Sequence, residues 1–211
     1  YINALEEGEP RNFLKFDVRF KVVRSLRRTL IFGLFLRYGH ARSFQGDRLP
    51  ENERFVLGGN KGVRGFDDNG VLQYSVDGNI RTELTWPDST LSAPWLGELP
   101  SAEGQVESVF GGDLLLHGSL EMRFPILRET GLWGGLFYDV GALAEGFDQV
   151  GTRSFRHSVG GGIRYLIGDS IPLRLDYGVK LDRRCAAVDA RGRCLRDESF
   201  GNLHFGILYT F

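Results

Sequence analysis

The chain has 211 residues, a formal net charge of -1, 29 glycines, 16 phenylalanines and one methionine. Near-neutrality argues against a nucleic-acid partner, which needs a basic face, and against an acidic disordered segment. No apolar run approaches the roughly 18 residues of a membrane helix. The slightly negative mean hydropathy is shared by soluble proteins and membrane barrels, in which only alternate residues face lipid.

The start, Tyr1-Ile2-Asn3, has no signal-peptide pattern, so either a signal has been removed or the chain is a piece of a longer one. Residues 12–24 alternate, with Leu14, Phe16, Val18, Phe20 and Val22 on one face and Lys15, Asp17, Arg19 and Lys21 on the other. Period two is the signature of a strand. After a short turn near 25–28 the pattern returns over 29–41, giving a hairpin. Residues 42–112 form a long connection, a length that is usually functional in compact domains. It holds the stretch Phe55-Val56-Leu57-Gly58-Gly59-Asn60-Lys61-Gly62-Val63-Arg64-Gly65-Phe66. Gly58, Gly59, Gly62 and Gly65 permit positive φ and close packing, which suits a segment tucked inside something.

Alternation resumes at Leu114-Leu116 and Leu120-Met122-Phe124, opposed by His117, Ser119, Glu121 and Arg123. A turn is expected over Pro125–Gly131, then a strand in which Leu136, Tyr138 and Val140 oppose Phe137 and Asp139. Further strands follow the connection 144–156, the turn 168–172 and the polar connection 183–200, the last strand ending at Phe211. About seven strands result. Their connections are short at 25–28, 125–131 and 168–172 and long at 42–112, 144–156 and 183–200. In an antiparallel meander this puts every short turn at one end, as in an outer-membrane barrel with short periplasmic turns and long outer loops. Strands of about 10 residues match the span of a tilted membrane strand.

Arg64, if buried, requires acidic partners, because an unpaired charge in a dry interior is very costly. Glu121 and Asp139 stand on successive strands on the polar face. A solvated loop charge is the plainer alternative for Arg64.

Val63-Arg64-Gly65-Phe66 resembles the signature tetrapeptide of the bacterial outer-membrane protein assembly-factor family, which includes BamA, TamA and the two-partner-secretion translocators (surface-antigen barrels). The resemblance runs over residues 12–211. It implies an all-β, antiparallel transmembrane β-barrel whose C-terminal portion is this chain, with loop 42–112 folded inward and the tetrapeptide acting as a loop lock. The family barrel has sixteen strands, so seven would be a C-terminal fragment. In the family the loop arginine meets acids on the next two strands, the second in a Phe-x-Asp-x-Gly motif that Phe137, Asp139 and Gly141 fit. His204, Gly206, Tyr209 and Phe211 resemble the terminal β-signal read by the insertion machinery. An ordinary last strand that happens to end in Phe is the alternative.

Cys185 and Cys194 flank a polar connection on the expected outer side, where oxidation to a disulfide is favoured. Two free thiols are the alternative, and zinc spacing is absent. Gly168-Asp169-Ser170-Ile171 falls in an expected turn, no Gly-x-Ser-x-Gly elbow occurs, and His157 and His204 have no nucleophile beside them. No enzyme, metal or cofactor is therefore expected. The resemblance implies a factor that folds and inserts β-barrel proteins into the bacterial outer membrane. Its partners would be the lipid bilayer, unfolded outer-membrane clients and periplasmic accessory proteins, without nucleic acid. A secretion translocator of the same family, and a porin or barrel anchor for an upstream domain, are the other readings.

Overall fold

The computed structural model describes residues 12–26, 29–44, 49–71, 82–85, 105–108, 111–167, 171–188 and 194–207. Seven strands form one antiparallel sheet: β1 (Phe13–Leu26), β2 (Leu30–Ser43), β5 (Leu114–Leu127), β6 (Leu132–Ala144), β7 (Arg156–Ile167), β8 (Ile171–Lys180) and β11 (Gly201–Ile207). Neighbours in the sheet follow chain order, as in an up-and-down meander. Two ribbons lie outside it. β3 (Thr82–Thr85) pairs with β4 (Gln105–Ser108), and β9 (Cys185–Val188) pairs with β10 (Cys194–Asp197).

Exposure is inside-out relative to a water-soluble sandwich. Leu14, Phe16, Val18, Leu36, Leu120, Leu136, Tyr177, Leu203 and Phe205 are exposed, whereas Glu121, Asp139, Ser158, Arg164, Asp176, Lys180 and His204 are buried. The period-two pattern puts these two sets on opposite faces of the pleat. A wall that shows its apolar face outward and keeps its charges inward fits a bilayer on one side and a polar lumen on the other.

The expected turn at Pro125 lies further on. β5 continues to Leu127 through a register irregularity between Pro125 and Leu127. Proline has no N–H for the ladder and is tolerated at a bulge, so the strand bends there instead of ending. The connection 183–200 likewise holds the β9–β10 ribbon.

The segment 49–71 folds onto the polar face as a plug with its own apolar cluster. Leu49, Phe55, Leu57, Val63, Phe66 and Val71 pack with the inward-facing Ala41, Leu115 and Leu143. Its ends are tied by reciprocal Phe55–Gly112 backbone hydrogen bonds of 2.8 Å and by Val71 N–H donating to the Leu57 carbonyl at 3.0 Å. Buried backbone groups of an irregular segment must find such partners.

Candidate functional site

The plug brings Arg64 over three strands. Its backbone N–H donates to Asp139 Oδ2 at 3.0 Å, Nε to the same oxygen at 2.7 Å, and Nη2 to Asp139 Oδ1 at 2.8 Å. Nη1 donates to Glu121 Oε2 at 3.1 Å and to Asp176 Oδ2 at 3.0 Å, and Nη2 reaches Ser119 Oγ at 3.1 Å. The guanidinium carbon lies 3.5 Å from the Phe137 ring centroid. An arginine suits this seat because its planar fork meets a carboxylate bidentately while its flat face stacks on an aromatic ring. Burial alone would lower the Arg64 pKa. The Asp139 hydrogen bond and the charges of Asp139, Glu121 and Asp176 outweigh it and hold the guanidinium above its usual range.

The acids have further cations. Arg123 Nε lies 2.7 Å from Glu121, Arg164 Nη2 lies 2.6 Å from Glu121 and 3.3 Å from Asp176, and Arg174 Nε lies 2.7 Å from Asp176. Arg64, Arg123, Arg164 and Arg174 thus face Glu121, Asp139 and Asp176, leaving the cluster close to neutral. Asp139 differs from the other two acids. Its one described ion pair is Arg64, supported by Ser119 Oγ donating at 2.6 Å.

Phe66 has a second seat. It is buried between Arg156, 5.0 Å from the ring centroid, and Lys180, 4.8 Å away, a pair of cation–π contacts. Arg156 is held in turn by Glu198 and by the Asp182 carbonyl at 2.8 Å, and Lys180 Nζ donates to Ser199 Oγ at 3.0 Å. Val63 is wholly buried. Gly65 has φ 95°, and a Cβ there would lie 3.0 Å from the Gly178 carbonyl carbon. Only glycine takes that conformation against the strand without strain. Gly62 differs from the expected positive φ. Its φ is −127°, and a Cβ would lie 2.6 Å from the Gly58 nitrogen, so lack of space excludes a side chain there.

A third set of contacts reaches β11. Gly65 N–H donates to His204 Nε2 at 2.9 Å, Asn202 Nδ2 to Asp67 Oδ1 at 2.6 Å, and Asn60 Nδ2 to the Phe205 carbonyl at 3.2 Å. Asn60 is oriented by Arg174 Nη2 at 2.7 Å. His204 therefore points inward as an acceptor for the loop. Gly206 continues β11, opposite Arg174. Tyr209 and Phe211 lie outside the described residues.

The structure thus brings Val63, Arg64, Gly65, Phe66, Glu121 and Asp139 into one site. Sequence reasoning missed Asp176, Ser119 and the Phe137 platform. Alternation along β8 puts Asp176 on the polar face with Arg174 and Lys180, but alternation does not say how far the loop reaches along the sheet. Cys194 is disulfide-bonded, and the chain's other cysteine is Cys185, whose side chain lies outside the described residues. The Gly168-Asp169-Ser170 turn is also outside them. His157 Nδ1 is 2.7 Å from the Tyr138 hydroxyl. Among the described residues no His, Cys, Asp and Glu group has a metal-site arrangement.

Residues 5–208 match the family described as the Omp85 superfamily domain. The fold is similar to the crystal structure of BamA from Haemophilus ducreyi lacking POTRA domains 1–3, with TM-score 0.65 and 15% identity over 96% of this chain. At that identity the likeness concerns the fold. The chain spans 36% of the length of that BamA chain.

Proposed function

The chain belongs to the Omp85 superfamily of the bacterial outer membrane, and from that premise we propose that it is the C-terminal part of a barrel that folds and inserts β-barrel proteins, with loop 42–112 folded into the lumen. The observation that carries this reading is the seat of Val63-Arg64-Gly65-Phe66. It is anchored on Asp139, Glu121 and Asp176, and it also grips β11 through Gly65, Asp67 and Asn60. Among the described residues β11 is a terminal strand of the sheet. An unpaired edge presents backbone donors and acceptors on which a client strand can pair by β-augmentation. A loop that holds β11 from the lumen sets where that edge stands. The work requires templating and no bond chemistry, so no cofactor enters. The clients are unfolded outer-membrane proteins, and periplasmic accessory proteins are further partners.

The test is replacement of the intact protein by its Arg64→Ala form in cells depleted of the native copy. Folded β-barrel proteins should fall in the outer membrane while the variant itself remains inserted. Loss confined to a secreted polypeptide would instead favour the translocator role. Unchanged assembly and secretion by a correctly inserted variant would refute the role given to the loop.

A further inference from the structure

The bilayer face of the sheet is not uniform. Over β1, β2, β5 and β6 it carries a trough of about 330 Å³, with Val18 and Phe20 at its β1 side. Gly118 is the floor. Leu36 and Tyr38 of β2 form one wall, Val140 of β6 and Phe155 the other. Strand pairing sets this shape: Leu36, Gly118 and Val140 are direct neighbours across three strands, so the missing side chain leaves a notch between two branched ones.

The upper end is built differently. The connection after β6 turns down onto the outer wall, where Phe147 stacks on Tyr38 at 6.2 Å and 21° and meets His40 edge-on at 5.8 Å. Arg42 follows His40 on the same face of β2, two residues or roughly 6.6 Å further along, and it is exposed. Lower on the same outward face, Tyr138, midway along β6, and His157, level with Val140, are hydrogen-bonded at 2.7 Å and bound the trough on its β7 side. Aromatic and imidazole rings at a strand end belong at the headgroup level of a barrel wall.

We propose that this trough is a binding site for one anionic, phosphate-bearing lipid of the outer leaflet, its acyl chain over Gly118 and its phosphate beside His40 and Arg42. Two observations select that occupant. The trough lies in a wall whose surroundings are lipid-facing, so a hydrocarbon chain is already the adjoining solvent. Beyond Tyr38 and His40, Arg42 places an exposed cation on the same apolar face of β2, and a cation there is relieved by an anionic headgroup, not by hydrocarbon. A notch closed by Phe155 and Tyr38 holds one chain in register where a flat wall would let chains exchange freely.

The experiment uses the intact protein, delipidated in detergent and titrated with phosphatidylglycerol or phosphatidylcholine of identical chains, with bound lipid counted by native mass spectrometry. The wild type should retain one phosphatidylglycerol above background and prefer it over phosphatidylcholine. Gly118→Leu fills the notch. Its Cβ would meet only the tips of Val140 and Leu36, at 3.3 and 3.4 Å, so the strands can stay paired. It should weaken retention about tenfold, the size of one or two lost methylene contacts. Arg42→Gln should abolish the headgroup preference. Val140→Phe, filling the trough from its wall, is the second variant should the first fail to migrate as a folded barrel on unheated gels. Equal retention by wild type and a folded trough-filling variant would overturn the proposal. So would identical binding of the two lipids by wild type, or loss of a protein partner with lipid retention unchanged.

Discussion

Truncating Arg64 to alanine removes five side-chain hydrogen bonds and the stack on Phe137, spread unequally over the acids, and the inequality gives a ranked prediction. Glu121 keeps Arg123 and Arg164, and Asp176 keeps Arg164 and Arg174. Asp139 keeps only the Ser119 hydroxyl and the residue-64 backbone N–H, and it is wholly buried. Breaking a buried pair by removing one partner costs about 3–5 kcal/mol, less where lumen water reaches the orphan. That cost should fall mainly on Asp139. In double-mutant cycles the Arg64–Asp139 coupling should approach the upper end of the ~0.5–3 kcal/mol seen for contacting residues. The Arg64–Asp176 coupling should be smaller, since it rests on one hydrogen bond and leaves Asp176 two other cations. Arg64→Lys should recover less than half of the loss, because an ammonium cannot supply the fork or the stack on Phe137. The assay is the unfolding midpoint of the intact barrel in detergent, read by the shift from compact to extended migration on gels. Additive losses for Arg64→Ala with Asp139→Ala would refute the reasoning, as would equal coupling of Arg64 to both acids.

Phe66→Ala should destabilise the plug by about 3–5 kcal/mol, as for a large buried aromatic, and proteolysis should then cut within 49–71 in a barrel that otherwise resists. Phe66→Leu should restore most of the burial but not the attraction to Arg156 and Lys180, which its remaining loss relative to wild type measures. Orientation is tested by single cysteines at the exposed Thr130 and Arg183. On intact cells a membrane-impermeant maleimide should label the second and not the first, and the reverse result would invert the topology.

The strands were legible because alternation is local. Leu14-Phe16-Val18-Phe20 and Leu203-Phe205-Ile207 state their period without help from the rest of the chain. The inward parity of Glu121 and Asp139 follows from the same count. What alternation could not supply is register between distant segments. Asp176 stands two strands beyond Asp139, and its approach to Arg64 depends on how far the loop reaches across the sheet. Pro125 misled for a related reason: its missing N–H ends a regular strand but is tolerated at a bulge, and a bulge is set by the partner strand. His204 shows the limit from the other side. Its place in a terminal motif was readable, but its inward bond to Gly65 was not, since that bond depends on the φ of a glycine 139 positions earlier.

The same chemistry carries different weight along one sheet face. Asp17 on β1 accepts from Arg19 and Arg37, each with contacts of 2.8 and 3.1 Å, a geometry as good as that around Asp139. Yet the Asp17 side chain is 27% exposed within this chain and that of Asp139 is 0%. An exposed pair of this kind contributes at most about 1 kcal/mol, because water screens it and solvates either partner once the other is lost. Alternation places both acids on the polar face, but Asp17 stands on β1 at the edge of the described sheet, whereas Asp139 stands on a central strand beneath the plug, whose apolar cluster covers the wall at Leu115 and Leu143 and dries the surface under it. The loop therefore does more than supply Arg64. By excluding water it gives the acids of β5, β6 and β8 their energetic weight, so a change that loosens its packing should weaken the charge network without touching a charged residue.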